Sequence, residues 1–477
     1  MPHTIRDLAG GFPALTAFDW TPLAIKALRG ADFDETLGRQ TVDGVVRGPI
    51  FFDTPKGSQP VDTRPRDAHL PWGMRQALVE ATPHAANAAA LDDLMGGVSE
   101  LELRLDASGL FGLAASDIET LDEALKGIDM SLAPIHLNAL NNAADHADWL
   151  IALFARRRLD GEVLRGGLGL SPIEQAGRLG RQVRKGELKH TAKIARLSAA
   201  AFPKLKIMRC DASLAHESGG SDAQELAMLA AATSSYMRLL MDADFGADDA
   251  AQAIEARLAA DTDIHLTIAK LRAARRIFAR ITGAFGASAE AQRLNLHVVT
   301  SGRMLSATDP WSNLIRVACA GFAGAVGGAD AMTIRPMTDP VGRPTRFARR
   351  IARNLHILLA EESHLGKVTD PASGSYLHET LSADLADKAW QIFQDIEGQG
   401  GLAQSLETGW LQGQIAKSRE TRLAQIADGR DVILGVTKFA DPDPKALEVD
   451  GMWPRLETVE GALTPMRFAA SFEGASS

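Results

Sequence analysis

Cysteine is nearly missing from this chain of 477 residues: Cys210 and Cys319 are the only two. Two thiols cannot build a disulfide framework or a thiolate zinc site, and their scarcity points to a reducing compartment. An excess of positive charge is also lacking. Lys plus Arg number 51 against 60 for Asp plus Glu, a formal net charge of −9, which gives no basis for a nucleic-acid or anionic-membrane partner. The basic stretches that do occur, Arg156, Arg157 and Arg158 and the region from Arg181 to Arg196, alternate with apolar residues at helical spacing. They lack interleaved aromatics and read as solvated helix faces. Long apolar runs are absent too. The opening MPHTIRDLAGGFPALTAFDW has no uninterrupted apolar core of signal-peptide length, and no window offers the roughly 18 apolar residues of a spanning helix. The expected location is cytoplasmic. Internal repeats, low-complexity tracts and the patterns His-Glu-x-x-His, Cys-x-x-Cys and Gly-x-Ser-x-Gly are all missing, which leaves metallohydrolase and serine-hydrolase chemistry without support.

What is present is a 45% hydrophobic chain long enough for one large domain with appendages or two to three smaller ones. The stretch Phe52 to Pro71 carries Pro55, Pro60, Pro65 and Pro71 among scattered charges and reads as an extended connector. After it, short β-branched or Leu-rich runs alternate with long Ala-rich amphipathic runs, the rhythm of repeated βα units on a parallel sheet. The strands are expected at Val98 to Leu105, Ala133 to Ala139, Leu205 to Ala212, Leu294 to Thr300 and Ala331 to Met337, with a weaker one near Val163 to Leu170. Helices are expected at Ala223 to Asp242 and Ile264 to Ile281. This spacing favours an α/β fold, a (β/α)8 TIM-type barrel. The expected layout is an N-terminal arm for subunit contacts over 1–72, the barrel over 73–379, and a mostly helical C-terminal extension over 380–477, with one more short strand at Val432 to Phe439.

In such barrels the working residues sit at the C-terminal ends of the strands, which directs attention to His136, Asn138, Arg209, Asp211, Ser213, His297, Thr300 and Arg335. His136 and His297 lie in apolar strand patterns and are equally readable as interior residues. Arg209 and Asp211, two apart on one strand, share a face and either form an ionic layer or bind substrate. The segment RGGLGLSP, Arg165 to Pro172, has glycines that either admit a phosphate to the backbone or make a tight strand-to-helix turn.

The run TSGRMLSATDPWSNLIRVACAGFAGAVGG, Thr300 to Gly328, is similar to a stretch of the adenosylcobalamin-dependent acyl-CoA mutases, with Thr300, Ser301, Gly302, Asp309, Pro310, Asn313 and Arg316 in its pattern. The likeness continues through Phe347 to Glu379, in Ile268 to Phe278 and in the late DVILGVTKF. It implies the rearrangement of methylmalonyl-CoA to succinyl-CoA by a cobalamin-derived radical, with the CoA chain threading the barrel. Catalytic members carry a Gly-Tyr-His-x-x-Glu element; read back from Gln224 to Ala227, its positions here hold Ala212, Ser213 and Leu214, followed by Glu217. Ser213 and Leu214 thus occupy the Tyr-His positions, and leucine neither donates a hydrogen bond nor transfers a proton. His216 could stand in only through a shifted loop. The family's Arg-Asn-Thr-Tyr and Arg-Gln-Tyr-Ala elements are not recognisable, and its His-Thr-Asn triplet is replaced by Thr333, Ile334 and Arg335.

The resemblance also implies a flavodoxin-like cobalamin domain with Asp-x-His-x-x-Gly. Neither Asp67-Ala68-His69 nor Asp263-Ile264-His265 has its glycine in register, so no cofactor or metal ligand is expected in this chain, and no cobalamin-binding flavodoxin-like domain. The opening GFPALTAFDWTPLAIKALRG and the ending LTPMRFAASFE resemble the small, non-catalytic subunits of methylmalonyl-CoA mutase. Those subunits usually keep a degenerate second domain, so the chain reads as a short subunit or a trimmed one. The implied partner is a large catalytic subunit holding adenosylcobalamin, in a heterodimer, with self-association possible for the isolated chain. Arg209 and Arg335 are then vestigial substrate contacts, and Glu362, which matches a position near the cofactor's adenosyl group, is a vestigial cofactor contact or a structural carboxylate. Two rivals remain at this stage: the substrate-binding chain of a split mutase, and an acyl-CoA-binding module without turnover. Activity restored by adding only a separate cobalamin-binding subunit would favour the first, and whether the barrel axis is open or plugged by bulky side chains tests the second.

Overall fold

The computed structural model describes residues 16–55, 67, 69–454 and 459–474. Most of the proline-rich connector, with Pro60 and Pro65, lies outside the described residues, as do Ala68 and the first part of the opening motif. Eight parallel strands close into a barrel in sequence order: β1 (Gly73–Leu78), β2 (Glu100–Leu105), β3 (Ile135–Ala139), β4 (Gly166–Leu170), β5 (Lys206–Asp211), β6 (Ile254–Ala260), β7 (Leu296–Thr300) and β8 (Ala331–Thr333). Closure is made by β1 against β8, with Gly73 opposite Ala331. The (β/α)8 expectation holds.

Strand alternation explains the two sides of the wall. In β2, Leu101, Leu103 and Leu105 are fully buried outward against the helices, while Glu100, Glu102 and Arg104 alternate with them and face the axis. A parallel strand needs cover on both faces. The outer cover includes the helices Asp222–Met241 and Ile264–Ala284, which pack on each other and on Tyr376–Gly398. Ser221 starts the first of these with a reciprocal cap to Gln224, and Asp263 starts the second by accepting from Leu266 N. The helix Tyr376–Gly398 runs through residue 380, so the C-terminal extension grows out of the barrel's own outer layer.

Two strands, β1 and β6, have no counterpart in the expected set. One expectation is corrected in the other direction: Val432 to Phe439 is not a strand. It is a tight turn with a single bridge between Leu434 and Lys438, closed by Gly435 N donating to Lys438 O. After the helix Trp410–Ala427 the chain is largely irregular and returns over the mouth of the barrel. There Leu463 N donates to Gly177 O at 2.9 Å, Met466 N to Glu217 O at 2.8 Å and Phe468 N to Arg303 O at 3.1 Å.

Candidate functional site: the barrel axis and its mouth

Inward-facing positions of TIM-type barrels are usually filled by branched apolar residues. Here they carry charge. Arg75 of β1 meets Glu255 of β6 through two donors, at 2.9 and 3.3 Å, and Glu100 of β2 at 2.9 Å. Arg209 of β5 lies 3.5 Å from Glu255 and 3.9 Å from Glu102, and donates to Leu137 O at 2.8 Å. Arg257 of β6 lies 3.6 Å from Glu102, and Asn138 of β3 donates to the same carboxylate at 2.8 Å. His136 stands 3.3 Å from Glu100, and His297 shares a hydrogen bond with Thr333 at 2.9 Å. Three guanidinium groups and three carboxylates thus form one layer across the axis.

The layer sets its own protonation. Burial drives the Glu100 and Glu102 carboxyls up. The arginines outweigh it, Arg75 at Glu100 and Arg257 and Arg209 at Glu102, and both are held at about 2. His297 is pushed well below the usual histidine range by burial and then by the like charges of Arg75 and Arg257. With its long side chains paired across the axis, the barrel centre is plugged.

Above this layer, at the C-terminal ends of the strands, lies a cavity of about 1090 Å³. Ser213, Leu214, Glu217 and Arg335 line it, and the returning tail contributes Trp453 and Met466. Ser213 and Leu214 open a one-turn helix, Ser213–Glu217, directly after β5, and both line this cavity. Ser213 Oγ donates to Asp211, and Leu214 adds an apolar surface. Arg335 donates to Thr300 O at 2.9 Å and to Asp339 at 3.1 Å, and stands 3.6 Å from Glu217. Thr300 Oγ1 accepts from Arg335 N at 2.8 Å. Arg209 does not share the cavity with Arg335: it belongs to the layer below. Nor does it pair with Asp211, which faces Arg178 at 3.5 Å and Arg257 at 4.0 Å. Glu362 is exposed at the end of a single π-helical turn, Leu358–Glu362, on the outside of the barrel.

His216 does not stand in for the missing histidine. It is fully buried away from the cavity, with Nε2 2.8 Å from Ser301 Oγ and Nδ1 3.4 Å from Glu225. The order Ser-His-Glu is that of a nucleophilic relay, but Ser301 and Glu225 are fully buried as well, so no acyl group reaches the hydroxyl. His216, Asp222 and Glu225 also form the one cluster of metal-ligand type among the described residues. Its cation position is already taken: Lys270 Nζ sits 2.8 Å from Asp222 and 2.6 Å from Glu225. Burial opposes that ammonium, yet the two carboxylates keep its pKa above the usual lysine value.

The glycines of β4 are not a phosphate cradle. A Cβ at Gly166 would lie 2.3 Å from Ile135 O, and one at Gly169, where φ is +63°, would lie 2.1 Å from Leu137 O. These residues let β4 approach β3 closely, and on its other side the register against β5 shifts between Gly167 and Leu170. The residues present do not fit a cobalamin either. His69 is exposed, its backbone N–H and that of Leu70 turned to Asp67 at 2.7 and 3.4 Å, while His265 Nδ1 lies 3.1 Å from His378 Nε2.

Sequence reasoning missed Arg75, Glu255 and Lys270, which hold these clusters together. A signal existed for part of the layer, since VSELELRL alternates Glu, Glu and Arg with leucine, and in a strand covered by helices the charged side can only be the interior.

Comparison with known proteins agrees with this geometry. Residues 66–459 match the family described as methylmalonyl-CoA mutase. A methylmalonyl-CoA mutase small subunit from Streptomyces virginiae is 36% identical over 92% of this chain and 73% of its own length. The small subunit from Propionibacterium freudenreichii subsp. shermanii is 32% identical over 93% and 72%. A protein named simply methylmalonyl-CoA mutase, from Cereibacter sphaeroides, is 27% identical over 91% of this chain and 66% of its own. The chain belongs to the methylmalonyl-CoA mutase family, and its place in that family is with the small subunits.

Proposed function

We propose that this small subunit is inactive by itself and pairs in a cytoplasmic heterodimer with a large subunit that holds adenosylcobalamin and converts methylmalonyl-CoA to succinyl-CoA. Its contribution is to stabilise and position that partner. The observation that carries the reading is the charged layer across the barrel axis: a substrate whose CoA chain must thread the barrel has no path. Leu214 adds a second obstacle, because a substrate carbonyl beside it finds no donor to stabilise developing charge. The same layer argues against the two rivals, since both require the axis to admit a CoA ester.

The test is mutase turnover with adenosylcobalamin by this chain, by its large partner and by the two mixed, with co-elution followed on a sizing column. Activity confined to the partner or the mixture, with stable co-elution, is expected. Leu214→His is expected to stay inactive, because the plug below it is untouched. Turnover by this chain alone, or after adding only a separate cobalamin-binding chain, overturns the proposal.

A further inference from the structure

Arg104 ends β2 and points into the cavity above the plug. Among the described residues its guanidinium makes no hydrogen bond or ion pair, while its backbone O accepts from Leu113 N at 2.8 Å. Its contacts are the faces of Phe111, 6.0 Å from the guanidinium carbon, and Trp453, 5.8 Å away, two rings that stack at 6.2 Å and 15°. The nearest carboxylate acting on it through space is that of Asp339, which already accepts from Arg335. Arg178, Arg257 and Arg335 surround it with further positive charge, and each of those has its own carboxylate: Asp211, Glu102 and Glu217 respectively. Burial, reinforced by these like charges, pushes the Arg104 guanidinium down to about 10, which leaves it cationic at neutral pH.

Arg104 is half-buried on the cavity wall, and a guanidinium with no carboxylate within hydrogen-bond reach is a ready partner for a bound anion. The planar fork of arginine matches a carboxylate through two parallel hydrogen bonds. The cavity has apolar walls in Leu140, Val341 and the two rings, and its charged lining sets Arg178, Arg257 and Arg335 against Glu102, Glu217 and Asp339; apolar surface beside a guanidinium left over from that pairing suits an anion carried on an apolar body better than a bare inorganic ion. The layer below admits no CoA tail. We propose that the mouth of the barrel is a binding site for a small free organic carboxylate, with Arg104 as its anchor and the Phe111 and Trp453 rings as its walls. The site is independent of the partner and involves no turnover.

Calorimetric titration and thermal shift of the full chain test it, with butyrate, succinate, inorganic phosphate and butyryl-CoA as probes at about 0.15 M salt. At least one of the two acids is expected to bind saturably, one per chain, and to raise the unfolding midpoint. Arg104→Gln is expected to weaken that binding tenfold or more while its ligand-free midpoint is no lower than that of the parent. Arg104→Lys, which keeps the charge and loses the fork, should also bind more weakly. The proposal is overturned if neither acid saturates or if both Arg104 variants bind as the parent does. Phosphate binding as tightly as the acids overturns it too, as does butyryl-CoA binding more tightly than butyrate.

Discussion

Trp72 is buried, with its Nε1 donating at 3.2 Å to Nδ1 of His356 in the helix Arg346–Ile357, so the acceptor of a buried indole is a group that titrates. Burial pushes His356 down to about 3, and His297 is lowered as well. In the unfolded chain both bind a proton near pH 6.5, whereas in the folded chain they do not; below that pH the unfolded state holds more protons and stability falls. The unfolding midpoint is therefore expected to decline as pH drops from about 6.5, before Glu100 and Glu102 begin to lose their share between about 4.5 and 2. His356→Gln keeps an acceptor for the indole and has no charge to gain, so it should flatten the slope between pH 6.5 and 3; an unchanged slope removes His356 as its source. At this scale the sequence is informative where a residue breaks a motif, as Leu214 does. It is silent where a role depends on partners from distant strands: nothing near Arg209 announces Glu255, and nothing near Asp222 announces Lys270.

Among the elements, β4 depends on its glycines. Gly169→Ala would place a methyl carbon 2.1 Å from Leu137 O on a backbone with positive φ, and should cost on the order of 3 kcal/mol in urea unfolding. Gly127→Ala is the control: its φ is also positive, but nothing lies within 4 Å, so only backbone strain of about 1 kcal/mol is expected. Equal losses at the two sites would show that contact with β3 is not what the glycine serves. The strands that were legible, such as β3 and β7, have β-branched or leucine-rich outer faces. Those that escaped, GMRQAL in β1 and IEARLAA in β6, place charge on the inner face and alanine beside it, which erases the apolar alternation on which strand reading rests. Val432 to Phe439 misled in the opposite way: it has the β-branched composition of a strand but no neighbour to pair with, and Gly435 turns it back on itself.

At the scale of the molecule, among the described residues, the helix Ala17–Ala27 stands apart from the core. Ala17–Ala27 has no buried residue; Trp20 ties it edge-on to Phe33 and Phe52, at 6.1 and 6.2 Å, while Phe18, Leu23 and Ile25 are exposed. If this face meets the large subunit, removing residues 1–30 should leave the unfolding midpoint of the isolated chain unchanged and abolish co-elution with the partner; retained co-elution would place the contact elsewhere. The charged layer has a different consequence, one of history. Glu255 serves Arg75 and Arg209, and Glu102 serves Arg209 and Arg257, so replacing either carboxylate weakens the pairing of two buried cations at once. A lineage that fills its axis in this way cannot reopen it one substitution at a time, since each first step is penalised before the last has any benefit. The plug acts as a ratchet: an axis once closed in this way tends to stay closed.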